Sequence, residues 1–309
     1  MLNFQPLTLG MKTLADSYTS RYGEGSCQHS FVSSWCLRDK YGDSLCEHEG
    51  FLYTLRANLC SDGERVYLFP LGPRDDPEAL RQAVQNVIDD AHSHNCRAKF
   101  QTVTQSARDA ITRLFPRKFT QEYSRDWSEY IYDTQSLATY SGAKMAYKRR
   151  DFQRFGRDYA GRVETVMMTP ANIPAVRDFQ AEWLKAKIDA SNDPAEREQV
   201  SGEDIGIQVA FDDWSALGLT GIVILIDGAV KGYAYGAKLS EDYIDEINEN
   251  CDHRIPNIYP FAKHEFARLC CEGIKYINFE EDIGSELLRT AKNHYKPAFL
   301  IDKYILCEK

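Results

Sequence analysis

The sequence predicts an α/β fold with two mixed sheets flanked by helices, and three observations carry that reading. The element order hairpin, helix, strand, helix, strand occurs twice along the 309 residues. Each occurrence opens on an Asp-Gly pair, Asp62-Gly63 and Asp227-Gly228, a common hairpin turn. Strand-sized apolar runs alternate with amphipathic helical stripes, the pattern of helices laid on a sheet.

In the first half, "GFLYTLRANLCSDGERVYLFPL" reads as two strands around Asp62-Gly63. "DDPEALRQAVQNVIDDAHSH" follows as a helix, with Pro77 suited to its first turn and Ala79, Leu80, Ala83, Val84, Val87 and Ile88 as its apolar stripe. "RAKFQTV" is a strand, "SARDAITRLF" a helix with Ser106 as candidate cap, and "DWSEYIYD" a strand. In the second half, "LTGIVILIDGAVKGYAYGAKL" is again strand, turn, strand. "IYPFAKHEFARLCCEG" makes a helix stopping at Gly273, "IKYINFE" a strand, "GSELLRTAKNHY" a helix, and "AFLIDKYIL" the last strand. The halves share little residue identity, so the repeat is one of pattern and points to duplication. The expected domains are 1–136 and 137–309, joined near Tyr132–Gly142. The polar stretch "DASNDPAEREQVSGED" is expected to be a surface loop.

Composition narrows the classes of function. With 43% hydrophobic and 27% charged residues the chain reads as globular, and its most apolar run, "GIVILI", is far short of the ~20 residues a bilayer needs. "MLNFQPLTLGMKTLAD" lacks the basic start and apolar core of a signal peptide. The net charge of −9 disfavours DNA as a partner, since a duplex repels it at long range. Nine cysteines without regular spacing fit reduced thiols, hence a cytoplasmic protein. "HSHNC" (His92, His94, Cys96) and "CEH" (Cys46, His48) have no C-x-x-C beside them, so neither metal nor cofactor is expected.

Two stretches carry candidate chemistry. In "AKMAYKRRDFQRFGRDY", Met145, Phe152, Phe155 and Tyr159 share a helix face, with Arg150, Arg154 and Arg157 opposite. Lys148 projects within the apolar arc and Arg149 at its edge; a cation placed there needs a partner or a function. In "NFEEDIGSELLRTAK", Glu280, Glu281 and Asp282 follow a strand's C-terminal end, where open α/β sheets bind ligands. One acid would satisfy the next helix's free amides; three exceed that need. Leu287, Leu288, Ala291 and Tyr295 read as that helix's buried stripe, with Arg289 and Lys292 together on its flank. Such carboxylates and cations suit a cationic amino-acid group and an anionic phosphate or carboxylate.

The repeated order is also that of the later part of the GNAT acyltransferase fold, so a tandem GNAT-like (acyl-CoA N-acyltransferase-like) repeat is the specific expectation. The R/Q-x-x-G-x-G/A loop by which such enzymes cradle a pyrophosphate has no good match: "QRFGRD" fails at its last position and lies in a helix. Further signposts run nearly end to end. They are "LNFQPLTLGMK", "HSFVSSW", "YLFPLG", "EYIYD", "LATYSGAKMAYKRRDFQRF" and "YINFEEDIGSELLRTAKNHYKP". Together they resemble the phosphatidylglycerol lysyltransferase C-terminal domain family, which includes soluble stand-alone bacterial members.

For the membrane enzymes of that family, the resemblance implies transfer of an aminoacyl group from charged tRNA to a lipid hydroxyl, in a channel enclosed by two GNAT halves. An aminoacyl ester is already activated, so the reaction asks for positioning, charge stabilisation and one general base. Carried over residue by residue, the resemblance makes Glu281, Asp282 and Arg289 the catalytic candidates. Lys148, Arg149, Glu249, Asn278, Glu280 and Lys292 become substrate-binding candidates. Glu281 or Asp282 would hold the donor's α-ammonium or assist proton transfer, and Arg289 and Lys292 would meet the tRNA terminal phosphate or the oxyanion. The chain departs from the family pattern at three places. "DEINENC" stands for H-x-E-K-A, keeping Glu249 but with Asn250 for the Lys; Arg150 replaces an Asn, and Leu287 a Gly. The acceptor therefore stays open between lipid, small molecule and peptide. A CoA-dependent N-acyltransferase and a non-catalytic ligand-binding module on the same fold are the alternatives.

Overall fold

The structure is a computed structural model and describes residues 2–309. It divides into two compact units.

The first unit holds the chain up to Tyr130 together with Glu281–Arg289 and Leu300–Lys309. The chain supplies, in order, β1 (Gln5–Pro6), β2 (Asp43–His48), β3 (Phe51–Arg56), β4 (Glu64–Tyr67), β5 (Arg97–Thr104) and β6 (Phe119–Tyr123). The other strands are β7 (Glu129–Asp133), β8 (Val163–Met167), β9 (Thr220–Ile226), β10 (Ala229–Lys238), β11 (Tyr243–Cys251), β12 (Tyr276–Asn278), β13 (Phe299–Ile301) and β14 (Lys303–Glu308). The first sheet runs β1-β2-β3-β4-β5-β14-β6, parallel at β4–β5. The helix Pro77–Ser93 packs on it through Leu80, Ala83, Val84, Val87 and Ile88. Each large side chain so buried contributes about 1.5–3 kcal/mol. Asp76 caps this helix, accepting from the Glu78 and Ala79 amides, with Pro77 in its first turn as expected. The helix Gln105–Leu114 is capped by Thr104 rather than Ser106, whose hydroxyl goes to Glu24.

The second unit, Ile131–Glu280 with Thr290–Phe299, is built on the sheet β13-β7-β12-β11-β10-β9-β8, parallel at β11–β12. Read from β8, its strand order repeats that of the first sheet. In both, the sixth strand comes from the other half of the sequence: β14 lies between β5 and β6, and β7 between β12 and β13. The expected single strand "AFLIDKYIL" becomes two strands in different sheets, broken at Asp302, which accepts from the Tyr123 and Ser128 hydroxyls.

Within the second unit β12 pairs with β11 only from Tyr243↔Tyr276 to Asp245↔Asn278, so β11 runs on with β10 alone beside it. The β10–β11 register shifts so that Gly236 pairs with Glu246 and Tyr235 with Asn248, leaving Ile247 as a bulge. Gly236 is required there, because a Cβ would stand 2.0 Å from the Asp245 carbonyl oxygen. The helix Ile258–Cys270 covers this face with Phe261, Ala262, Phe266 and Ala267. The stretch expected as a loop folds from Pro194 into the helix Pro194–Asp212, because Asp193 caps it and Pro194 occupies its first turn. Among the described residues no helix is long and apolar enough to cross a membrane.

Candidate active site

In the first unit, Asp282 is fully buried at the start of a tight loop and surrounded by donors. Its Oδ2 accepts from the Tyr130 hydroxyl at 2.6 Å, Arg289 Nε at 2.9 Å and Arg125 Nη1 at 3.2 Å. Its Oδ1 accepts from Arg289 Nη2 at 2.9 Å and the Gly284 amide at 3.0 Å. Burial pushes this carboxyl up, but the hydrogen bonds from Arg289, Tyr130 and Gly284 and the charge of Arg125 outweigh it and hold it at about 2. A carboxylate so placed is a poor proton acceptor at neutral pH and a strong anchor. Arg289 is the other half of that anchor: its fork also reaches Asp126 at 2.8 Å and Glu286 at 3.0 Å. Glu281 accepts from Gln28 Nε2 at 3.3 Å, and Gln28 in turn accepts from Arg56. The apolar stripe expected on the helix Glu286–His294 is not buried: Leu287 is 78% and Leu288 43% exposed, and of the set only Tyr295, beyond the helix, is covered. Sequence spacing shows that apolar residues share a face but not whether anything lies against it.

In the second unit, Asn278 ends β12, and its Oδ1 accepts from the Glu280 amide at 2.7 Å, turning the chain through a left-handed Glu280. Lys292 donates to the Phe279 carbonyl, and its own carbonyl accepts from the Tyr132 hydroxyl at 2.8 Å. Arg149 donates to the carbonyls of Tyr140 and Gly142, closing off the helix Thr134–Thr139. These residues stiffen the backbone around the end of β12. Lys148 behaves differently. On the helix Ala146–Asp158, it is half-buried and its ammonium meets the face of the Tyr295 ring, 4.0 Å from the centroid, instead of a carboxylate. Burial and the nearby Lys263 lower its pKa, against the pull of Asp151 and Glu249. Arg150, Arg154 and Arg157 face solvent as expected.

Glu249 belongs to a group that sequence reasoning only half found. The bulge at Ile247 turns Glu246 and Glu249 to the same face of β11, where both meet Lys263 of the helix Ile258–Cys270. Lys263 Nζ lies 2.8 Å from Glu249 Oε2 and 3.5 Å from Glu246 Oε1, over the Phe279 ring at 3.9 Å. Glu246 Oε2 and Glu249 Oε1 are buried without a hydrogen-bond partner. Burial raises both carboxyls, Glu246 to about 7, with Glu249 adding to the push and Lys263 opposing it. The two acids in turn hold the Lys263 ammonium above its ordinary value despite burial. Lys263 carried a legible signal: it sits on the apolar arc of its helix, as Lys148 does on its own. Glu246 carried none, because strict alternation puts residues 246 and 249 on opposite faces and only the bulge reunites them.

The remaining candidates lie elsewhere. His92 pairs with Glu308 at 3.0 Å, the His94 ring bonds the Asp90 carbonyl at 2.8 Å, and no disulfide joins any of the cysteines.

The model of the family described as phosphatidylglycerol lysyltransferase, C-terminal, matches residues 19–307. The crystal structure of a conserved protein of unknown function from Bacteroides thetaiotaomicron superposes with a TM-score of 0.91 at 27% identity, over 100% of both chains. The structure of L-PGS from Bacillus licheniformis gives 0.64 at 14% identity, covering 96% of this chain and 91% of that one. A tandem GNAT protein from the clavulanic acid biosynthesis pathway gives 0.51 at 10% identity, covering 100% and 98%. These last two likenesses are of fold, and the fold is the tandem GNAT. An uncharacterized protein of Mycoplasmoides gallisepticum is 21% identical over 179 residues, 58% of this chain, and the match spans only 56% of that relative. With sequence motifs, strand order and family match all running nearly end to end, the chain belongs to the phosphatidylglycerol lysyltransferase C-terminal family.

Proposed function

We propose that the protein is an aminoacyltransferase that moves an aminoacyl group from charged tRNA to a hydroxyl or amine of a lipid, small-molecule or peptide acceptor. The observation that carries this reading is Lys148, a half-buried ammonium set against an aromatic face beside the Glu249–Lys263 pair, in a chain of this family. The acceptor's oxygen or nitrogen attacks the ester carbonyl carbon, the bond to the tRNA's terminal ribose oxygen breaks, and the acceptor's proton ends on that departing hydroxyl. Charge develops on the carbonyl oxygen, and an ammonium fixed in a low-dielectric setting stabilises it without reorganisation. Lys148 takes that role. Asp282 and Arg289 are positioning residues that fix the loop carrying Glu281. Asn278, Glu280, Lys292 and Arg149 shape the strand end and the helix turn around the donor. The free thiols support a cytoplasmic setting, where charged tRNA is available.

The reading is tested by incubating the purified protein with a mixture of charged tRNAs and following the loss of each aminoacyl ester. Selective discharge of one tRNA, slowed at least about a hundredfold by Lys148→Met, is the expected result. Discharge no faster than the uncatalysed rate, with acetyl transfer from acetyl-CoA instead, would replace it with the N-acyltransferase reading.

A further inference from the structure

We propose that Glu246 and Glu249, held by Lys263, form a pocket for the free α-ammonium of the aminoacyl donor. The inference deepens the aminoacyl-transfer reading and rests on it for the identity of the donor. Its ground is a pair of buried carboxylates whose hydrogen bonding does not close. Two carboxylates and one ammonium are buried together, Glu246 with a side chain only 3% exposed and Glu249 with one 9% exposed. Each acid keeps one oxygen buried and unbonded, Glu246 Oε2 and Glu249 Oε1. Buried acceptors of this kind are rare and mark a missing partner. A further cation with several N–H donors supplies what the site lacks. A divalent metal suits it poorly, because the Lys263 ammonium already stands between the acids.

The corresponding place in the first unit shows that the arrangement is not a demand of the fold. There, between β4 and the helix Pro77–Ser93, the buried acid is Asp90. Its Oδ2 accepts from the Tyr67 hydroxyl and from Arg65 Nε at 2.9 Å, and Asp90 has no buried oxygen without a partner. One repeat closes its polar group; the other leaves two acceptors open. The walls around the open pair are also suited to cations, with the Phe279 ring under Lys263 and the Tyr295 ring 5.5 Å from the same ammonium and 4.0 Å from Lys148. A simple acyl group would bring no charge to this place, whereas an α-aminoacyl group brings one ammonium next to its ester carbonyl.

The test is calorimetric titration at pH 8 with alaninamide, lysinamide and their Nα-acetyl derivatives, which mimic the ester without tRNA. The expected result is that free-amine amides bind and the Nα-acetyl ones do not. Glu246→Gln and Glu249→Gln should each weaken binding at least tenfold, and Glu246→Gln should leave the melting temperature unchanged or higher, since burial already disfavours the Glu246 carboxylate. Equal binding by the Gln variants, or binding of Nα-acetylalaninamide, would overturn the proposal. Binding of Nα-acetyllysinamide but not of alaninamide would also overturn it, because the pocket would then read a side-chain ammonium. The two readings fail separately. Glutamate-dependent binding of the amides without discharge of any tRNA leaves the pocket and removes the transferase. Discharge that is unchanged in both Gln variants at subsaturating charged tRNA leaves the transferase and removes the pocket.

Discussion

Lys303 and Glu129 form an ion pair at 2.6 Å in which neither side chain exposes any surface. Ser26 bridges them, its hydroxyl donating to Glu129 Oε1 at 2.8 Å while accepting from Lys303, and the Cys27 amide adds a bond to Glu129 Oε2 at 3.2 Å. The pair ties the first residue of β14 to the first unit's interior. Lys303→Met should cost about 3–5 kcal/mol, because the buried Glu129 would lose the ammonium that lies against it. Lys303→Met with Glu129→Leu should recover most of that loss. Denaturant unfolding of the three proteins measures it, and equal stability of the single variant and wild type would contradict the pair's importance.

Stability should carry the mark of Glu246. Its carboxyl is raised to about 7 in the folded protein, so it binds its proton more tightly folded than unfolded. The associated stability is present below the ordinary glutamate value and lost as pH rises through about 7. The charged groups facing it are Glu249 on the same strand, Lys263 across from it, and Lys292 beyond, while Lys148 bears on Glu249. Wild type and Glu246→Gln should therefore differ least in melting temperature at pH 5 and diverge in favour of the variant at pH 8. A constant difference across that range would contradict this.

Asp282 should behave in the opposite sense. Its carboxyl is held at about 2, so its contribution is present above the ordinary aspartate value and lost as pH falls toward 2. Asp282→Asn should melt below wild type at pH 7, and the gap should close near pH 2. Because Arg289 would then be released from its loop, discharge of charged tRNA should slow by about a hundredfold through misplacement of Glu281 rather than loss of a reacting group. Loss of one limb of the pH–rate profile along with the rate would instead make Asp282 a proton carrier.

The exposed leucines predict near-silence. Leu287→Ser and Leu288→Ser remove apolar surface that is already largely in water, so unfolding free energies should stay within about 0.5 kcal/mol of wild type. A loss of several kcal/mol would place the stripe in a core.

Arg149 predicts an intermediate effect. Its guanidinium bonds two carbonyls at the end of the helix Thr134–Thr139, so Arg149→Ala should destabilise by about 1–3 kcal/mol. Faster amide hydrogen exchange confined to residues 134–145 is the accompanying signature.

Local signals carried much of the architecture. Periodicity and caps located the helix at Pro77, the Asp227-Gly228 hairpin and the helix that stops before Gly273, since each depends on residues a few positions apart. The same signals failed at "DASNDPAEREQVSGED", where polar composition suggested a loop and the Asp193–Pro194 start of a helix was overlooked. They failed again at "AFLIDKYIL", because a strand pattern does not say which sheet it will join.

By itself the sequence determined the α/β class, the repeat and the family, all of which follow from local propensity and from ordered motifs. It also marked Lys148 as a cation on an apolar arc. Only the tertiary structure decided what each charge does. Asp282 and Arg289 became an anchor because Tyr130 and Arg125, more than a hundred residues away, converge with the neighbouring Gly284 amide on one carboxylate. Glu246 joined Glu249 because one bulged residue reverses the alternation of a strand, and both met a lysine from a separate helix. Partners far apart in sequence leave no periodic trace, and electrostatics depends on the distances that folding alone sets.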